Sequence, residues 1–440
     1  MTPTGEDFPT FREALRVWAR IGCLSFGGPA AQIALMHREV VEGRRWVSEK
    51  RFLQGLNFCT LLPGPEAMQL ATYLGFLMHG VRGGAAAGLL FVLPGALVLL
   101  ALSLIYATLG SVPLISGLFF GLKCAVLVLV VEALLRVARR ALKGPAPWAL
   151  AFAAFAALFL FGVPFPIVVL GAAAVGFLAP GAFAGGGHGA AKGDAPALLD
   201  MLLAREPGRI AAMAPAARRA GLVALALWLW PVALLMPAGG LYADIAWFFS
   251  KMAVVTFGGA YAVLAYVAQE AVEHYRWLSA AEMLAGLGLA ETTPGPLILV
   301  LQFVGFLAGW REDGLVGALA GTGLTLWVTF LPCFAWIFLA APYIERLNDN
   351  PKLGGALAAV TAAVVGVIAN LALWFGLRVV FTRMERGALG VEWPVPTSLD
   401  VPALFLTVLA ALALFRLKLG VVKTLAVTAV AGLSLRLAGL

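Results

Sequence analysis

The chain has 440 residues, 62% of them hydrophobic and only 12% charged, with a formal net charge of +8 and a mean hydropathy of +0.94. A soluble globule carries roughly 25% charged residues, so this sequence cannot cover itself with a polar surface. Its solvent is lipid, and its fold class is an all-α polytopic membrane protein. The basic residues sit in short loops between apolar runs, as cytoplasmic loops do, and form no soluble basic face of the kind a nucleic-acid partner needs.

In chain order, the polar start MTPTGEDFPT reads as neither a cleavable signal nor a transit peptide, so the first apolar segment is expected to serve as the membrane signal. Apolar segments follow at 11–36, 52–80, 84–109, 114–135, 147–162 and 164–180. The first has Gly27-Gly28-Pro29 in its middle and the second Pro63-Gly64-Pro65. Each flank is then about 12–15 residues, short of the about 20 that a span needs. Proline removes a donor and glycine frees the backbone, so each segment reads as two half-helices meeting at a break, in a re-entrant hairpin or a kinked span. Residues 181–219 are polar, with a Gly-rich run and an amphipathic helix expected around 196–206; they read as a cytoplasmic linker. Further apolar segments lie at 220–238, 241–268, 282–309, 315–340, 353–377, 399–415 and 420–438.

The sequence repeats itself. Residues 25–65 and 256–296 align without a gap at an offset of 231, with 17 of 41 positions identical. The shared residues include Phe26/Phe257, Gly27-Gly28/Gly258-Gly259, Glu39/Glu270, Arg45-Trp46/Arg276-Trp277, Ser48/Ser279 and Pro63-Gly64-Pro65/Pro294-Gly295-Pro296. Residues 1–180 and 220–440 are therefore two copies of one unit, as many secondary transporters are built. The loop 37–51 carries Arg38, Arg44, Arg45, Lys50 and Arg51, whereas its counterpart 268–282 carries Arg276 with Glu270, Glu273 and Glu282. Opposite bias in equivalent loops predicts opposite sides of the membrane, hence inverted repeats. Arg378, Arg383 and Arg386 then fall outside, against the rule.

SFGGPAAQ, the following W-V/L-S loop and LLPGPEAMQLATYLG, with the second copy TFGGAY…TPGP, resemble the chromate transporter family in its long, two-domain form. The resemblance implies a multi-pass protein of the bacterial plasma membrane that exports chromate and confers resistance to it. Sulfate, a tetrahedral dianion of similar shape, is the implied competitor or exchange partner. No cofactor is implied, and a homodimer is left open.

A carrier of a dianion needs donors to replace hydration, positive potential, and alternating access. Half-helix N-termini supply the first two. Gly27, Gly28, Gly64, Gly258, Gly259 and Gly295 are accordingly read as backbone donors, Gly64 lying between Pro63 and Pro65 and Gly295 between Pro294 and Pro296, with Pro29 and Pro65 opening the second half-helices. The competing reading makes them packing glycines. Arg20 and Lys251 each stand seven residues before the Gly-Gly, at equivalent positions, and Lys123 lies inside an apolar run. These cations are candidates for substrate attraction, with interfacial snorkelling as the alternative. Glu66 follows the first Pro-Gly-Pro and Glu291 precedes the second; both are proton-coupling candidates, or else carboxylates held by a helix dipole. Ser25, Thr256, Asn57, Thr60, Gln69, Thr72, Thr292, Thr293 and Gln302 flank the breaks and suit either an oxyanion or freed backbone groups. Trp46 and Trp277 are read as interface anchors, and Ser48 and Ser279 as helix N-caps. The four cysteines and four histidines show no metal-ligand spacing. No Walker-type motif offers direct ATP drive, and an intramembrane enzyme would need an acidic or His-rich metal site that is not visible. A sulfate carrier and an anion channel of the same fold remain the alternatives.

Overall fold

The computed structural model describes residues 8–110, 112–183, 197–257, 260–344, 351–386 and 392–439. The first copy opens with α1 (Phe11–Leu24), α2 (Gly28–His37), a π-helical turn (Arg38–Gly43), α3 (Glu49–Thr60) and α4 (Glu66–Leu109). Caps set the ends. Thr10 and Glu13 form a reciprocal capping box on α1, Ser48 accepts from the Arg51 amide on α3, and Ser279 forms a second box with Glu282. The two serine caps are thus where the sequence places them.

α4 is not one rod. His79 and Gly80 (φ 64°) leave helical geometry and reverse the chain. A Cβ on Gly75 would lie 2.5 Å from the Gly83 carbonyl oxygen, whereas eight residues along one helix span about 12 Å. The short arm 66–78 therefore folds back against the long arm 81–109, and α3 with the short arm makes a hairpin around Pro63-Gly64-Pro65.

The second copy repeats this order: α11 (Leu241–Val255), α12 (Ala260–Gln269), a π turn (Glu270–His274), α13 (Ala280–Thr292), a 3-10 turn (Leu297–Leu299) and α14 (Val300–Ala340). α14 reverses at Asp313-Gly314, and a Cβ on Gly309 would sit 3.0 Å from the Ala318 nitrogen. In both copies a residue of positive φ, Arg45 (51°) or Arg276 (55°), follows the π turn. The next amide, of Trp46 or Trp277, then donates back to the carbonyl of Val40 or Ala271 at 2.8 Å. This is the physical content of the repeated Arg-Trp. Both indoles are about 7% exposed, so they are packed inside the protein rather than anchored at the lipid boundary.

The first copy continues through α5 (Pro113–Ala141), α6 (Pro145–Phe159) and α7 (Phe165–Leu178), and the short α8 (Pro180–Phe183), α9 (Leu198–Arg205) and α10 (Arg209–Leu235) lead on to the second. α9 lies where the amphipathic helix is predicted. It docks on the first copy through Leu198 N–H to Arg45 O (3.0 Å), Leu199 N–H to Trp46 O (2.9 Å) and an Arg51–Asp200 ion pair of 2.8 Å. α10 begins earlier than the apolar segment 220–238, because Arg209 continues the helix and donates to the Met78 carbonyl at the end of the short arm of α4.

After α14 come α15 (Pro351–Val380), a ribbon of β1 (Met384–Arg386) and β2 (Glu392–Pro394), α16 (Val401–Ala411) and α17 (Val421–Leu437). The ribbon apart, the described chain is helical. Among the described residues five helices, the hairpinned α4 and α14 among them, are long and apolar enough to cross a membrane, and the protein is a multi-pass membrane protein. α15 packs on α5, α6 and α7, and α17 on α5, through small residues. A Cβ on Gly121 would lie 2.6 Å from the Thr428 carbonyl carbon, the close backbone approach that helices in lipid favour. Arg378 on α15 pairs with Glu273 at 3.2 Å and stacks on Trp374. One of the three basic residues that misfit the loop-charge rule is thus matched to the acidic loop of the second copy.

Candidate functional site

The four chain breaks meet in reciprocal pairs. The amide of Gly64, in the first Pro-Gly-Pro, donates to the carbonyl of Thr256 at 2.8 Å. The amide of Gly295, in the second, donates to the carbonyl of Ser25, also at 2.8 Å. Ser25 and Thr256 are equivalent at the offset of 231, and so are Gly64 and Gly295. Each copy therefore pins its Phe-Gly-Gly break to the Pro-Gly-Pro break of the other. Gly64 and Gly295 sit at φ 127° and 93°, which side-chain-bearing residues rarely adopt.

Side chains reinforce the joints. Gln32, 1% exposed, donates from Nε2 to Gly295 O (2.6 Å) and Ser25 O (3.3 Å). Gln69 donates to Pro63 O at 2.7 Å, and Gln302 to Ala96 O on the long arm of α4 at 2.8 Å. The amide oxygens of all three glutamines are buried without a partner. Gly95 presses on Pro294, and Cys333 on Gly64, so each long arm backs the break of the opposite copy.

These joints redistribute the expected roles. The Gly64 and Gly295 N–H groups are already engaged, so they hold the breaks together rather than offer donors. The hydroxyls turn to local backbone: Ser25 to Ile21, Thr256 to Met252, Thr60 to Asn57, Thr292 to Leu289 and Thr293 to Ala290. The groups left are the amides of half-helix first turns. α2, α4 and the 3-10 turn at 297–299 have no capping side chain, which leaves the first-turn N–H groups of Gly28, Ala30, Glu66, Ala67, Leu297 and Ile298 without a helical acceptor. Gly27 and Gly28 enter α2 at φ 85° and 78°, and Pro29 sits in its first turn. Gly258 and Gly259 lie outside the described residues.

The ionisable residues divide. Glu291 is 6% exposed and accepts from the Tyr261 hydroxyl. Glu66 is half-buried at the first turn after Pro65. Arg20, 60% exposed, pairs with Glu39 at 3.5 Å, and Lys251 lies 5.8 Å and 5.6 Å from the ring centroids of Phe248 and Tyr266. Each is two turns, about 10 Å, up its helix from the break. Lys123 is elsewhere. It lies over Phe120, a ring shared with Arg436 of α17, and within electrostatic reach of Asp400; its apolar context marked it as deep but could not say which neighbours it meets. α5 instead brings Arg136, paired with Glu132, within reach of Glu291 and Tyr261, and Arg140 within reach of Glu66. Both arginines lie beyond the apolar segment 114–135, where a loop would be expected. Their spacing of four, which puts Glu132, Arg136 and Arg140 on one helix face, was the available signal.

Known proteins resemble this chain over most of its length. The profile of the chromate transporter family matches residues 12–177 and 243–433. A chromate transport protein of Pseudomonas aeruginosa is 33% identical over 79% of this chain and 77% of its own. A probable chromate transport protein of Synechococcus elongatus is 28% identical over 83% and 85%, and a chromate transport protein of Cupriavidus metallidurans 27% identical over 82% and 81%. No solved structure matches.

Proposed function

The chain belongs to the chromate transporter family, and from that premise we propose that it is a secondary carrier exporting chromate from the cytoplasm, in exchange for or coupled to protons or sulfate. The observation that carries this reading is the pair of reciprocal hydrogen bonds, Gly64 to Thr256 and Gly295 to Ser25. They gather uncapped half-helix N-termini from both copies, each with a partial positive charge of about half a unit. Amides of that kind replace the hydration of an oxyanion without burying a compensating charge.

The cradle comprises the first turns at 28–31, 66–68 and 297–298, and Gly258 and Gly259 are assigned to it by their equivalence to Gly27 and Gly28 in the repeat. Arg20 and Lys251 add positive potential from two turns away, and Arg136 and Arg140 from α5. Lys123 is not part of it. Glu291 is the proton carrier: its carboxyl is buried, hydrogen-bonded to Tyr261 and close to the second Pro-Gly-Pro. An odd number of crossings separates equivalent points of the two copies: the long arm of α4, α5 and α10, with α6 and α7 making one return trip. That count supports an inverted arrangement, with 1–180 and 220–440 as the repeats, 181–219 as the cytoplasmic linker, and access alternating as one repeat rocks against the other.

Uptake of chromate and of sulfate into inside-out vesicles, with and without a pH gradient, tests the proposal. Saturable chromate uptake that responds to the gradient is the expected result. Preference for sulfate would make the chain a sulfate carrier, flux that does not saturate and shows no counterflow would make it a channel, and no flux of either dianion would end the proposal.

A further inference from the structure

Equivalent residues of the two copies have unequal surroundings. In the second copy α13 packs beneath α5, α15 and α17, and α12 beneath α15. Ala265, Ala268 and Leu284 are buried, as is the stretch Thr293–Pro296. In the first copy the matching Ala34 is exposed, His37 and Leu53 are half-buried, and so are Leu62, Pro63 and Pro65. A cavity of about 610 Å³ opens here between α2 and α3. It begins at Ala30 and Ala31, where the uncapped turn of α2 lies, and ends at His37, Arg38 and Glu42 in the loop. At about 30 Å³ per water, it has room for on the order of 20 waters, ample for a hydrated dianion.

Resting on the carrier reading above, we infer that this cavity is the water-filled vestibule through which the oxyanion reaches the breaks from the cytoplasm, in a conformation whose matching passage between α12 and α13 is shut. The basic loop 37–51 puts the mouth on the cytoplasmic side. Arg38, exposed at that mouth, gives the dianion its first contact. His37 bridges Glu49 and Glu42 there, tying the end of α2 to the start of α3. Transport exchanges the two arrangements: α2 and α3 close under cover as α12 and α13 lose theirs. The repeat makes this economical, because each copy already displays the packing that the other adopts in the opposite state.

Cysteine accessibility tests the inference. Of the native cysteines Cys59, Cys124 and Cys333 are buried and Cys23 is exposed, so a Cys23→Ser parent gives a quiet background. Ala34→Cys and Leu53→Cys, both on the cavity wall, report on the vestibule, and Ala265→Cys on the position equivalent to Ala34. The probe is a charged, membrane-impermeant sulfonatoethyl thiosulfonate, applied to inside-out and right-side-out vesicles. Both vestibule thiols should react at least about tenfold faster in inside-out vesicles than Ala265→Cys does, in protein that keeps its flux and its size-exclusion profile. If they resist the charged reagent but react with lipid-soluble N-ethylmaleimide, the cavity is a lipid-facing groove and the inference fails. It also fails if Ala265→Cys reacts as fast. Flux in the parent separates the two readings: dianion flux with a symmetric labelling pattern sinks the vestibule alone, and the expected labelling without any flux sinks the carrier reading while the asymmetry of access stands.

Discussion

Gly95→Ala is the most direct test of whether the long arms hold the breaks in register. Gly95 is helical and buried on the long arm of α4. A Cβ there would overlap the Pro294 carbonyl oxygen, lie 3.0 Å from its carbon and lie 2.6 Å from Leu299 Cδ1. Carbon atoms in contact stand about 3.5–4.0 Å apart, so the arm and the second Pro-Gly-Pro must separate by about 1 Å. The leucine tip can rotate away, but the Pro294 backbone is tied through Gly295 to Ser25 and Gln32. Overpacking of this kind costs about 1–3 kcal/mol, and alanine returns about 1 kcal/mol of helix propensity. The net loss of stability is then about 0–2 kcal/mol, and the protein still inserts and folds. Flux should fall far more, about tenfold or beyond, because a shift of about 1 Å at a preorganised site is enough to spoil it. The assay is chromate uptake in inside-out vesicles beside thermal unfolding in detergent. Gly323→Ala is the control, a helical glycine with open space around it, expected to transport normally. Wild-type flux in Gly95→Ala would refute the idea that the breaks must be held in register.

Gln32→Leu keeps the shape but deprives the Gly295 and Ser25 carbonyls of a donor, which should cost about 1–3 kcal/mol; an unshifted thermal midpoint would show that the amide bonds alone hold the joint. Glu291→Gln still accepts from Tyr261 yet cannot ionise, so it should fold normally and flatten the pH dependence of flux; an unchanged pH profile removes the proton role. Lys251→Ala should raise the KM for the oxyanion, whereas Lys123→Ala, beside Phe120 and Arg436, should leave it alone; the opposite ranking would put the cation site on α5. Thr10→Ala removes the α1 capping box and should cost about 1 kcal/mol of stability with no change in substrate affinity, read by melting and by flux.

Much of this architecture is legible in the sequence because its causes are local. Gly27-Gly28 and the two Pro-Gly-Pro triplets break helices through their own backbone demands, and Ser48 and Ser279 cap helices through an oxygen three residues from its target. What stays hidden is pairing. That the Gly64 amide needs an acceptor is readable; that Thr256, almost two hundred residues on, provides it depends on how the copies meet. The reversal at His79-Gly80 is legible by contrast, since the apolar segments 52–80 and 84–109 part there, and the contact of Gly75 with Gly83 shows the turn. Lys123 shows the converse error. An apolar context reports depth in lipid but not the neighbour, and it is the arginines at 136 and 140, at the edge of the same helix, that act electrostatically on Glu291 and Glu66 beside the breaks.

The reciprocal joints also bear on why the unit occurs twice in one chain. In hydrocarbon each backbone donor must find a partner within protein. The Gly64 amide has its acceptor only in the second copy, and the Gly295 amide only in the first. A lone copy would leave its Pro-Gly-Pro donor unmet at a cost of about 1–3 kcal/mol, and would expose the long-arm face that backs the opposite break. Neither copy can therefore complete its own break, and two copies satisfy each other's with the same pair of atoms. Residues 1–180 expressed alone should then be unstable in the membrane and should be rescued by co-expression with 197–440. Accumulation of the isolated first copy as a stable monomer would contradict this.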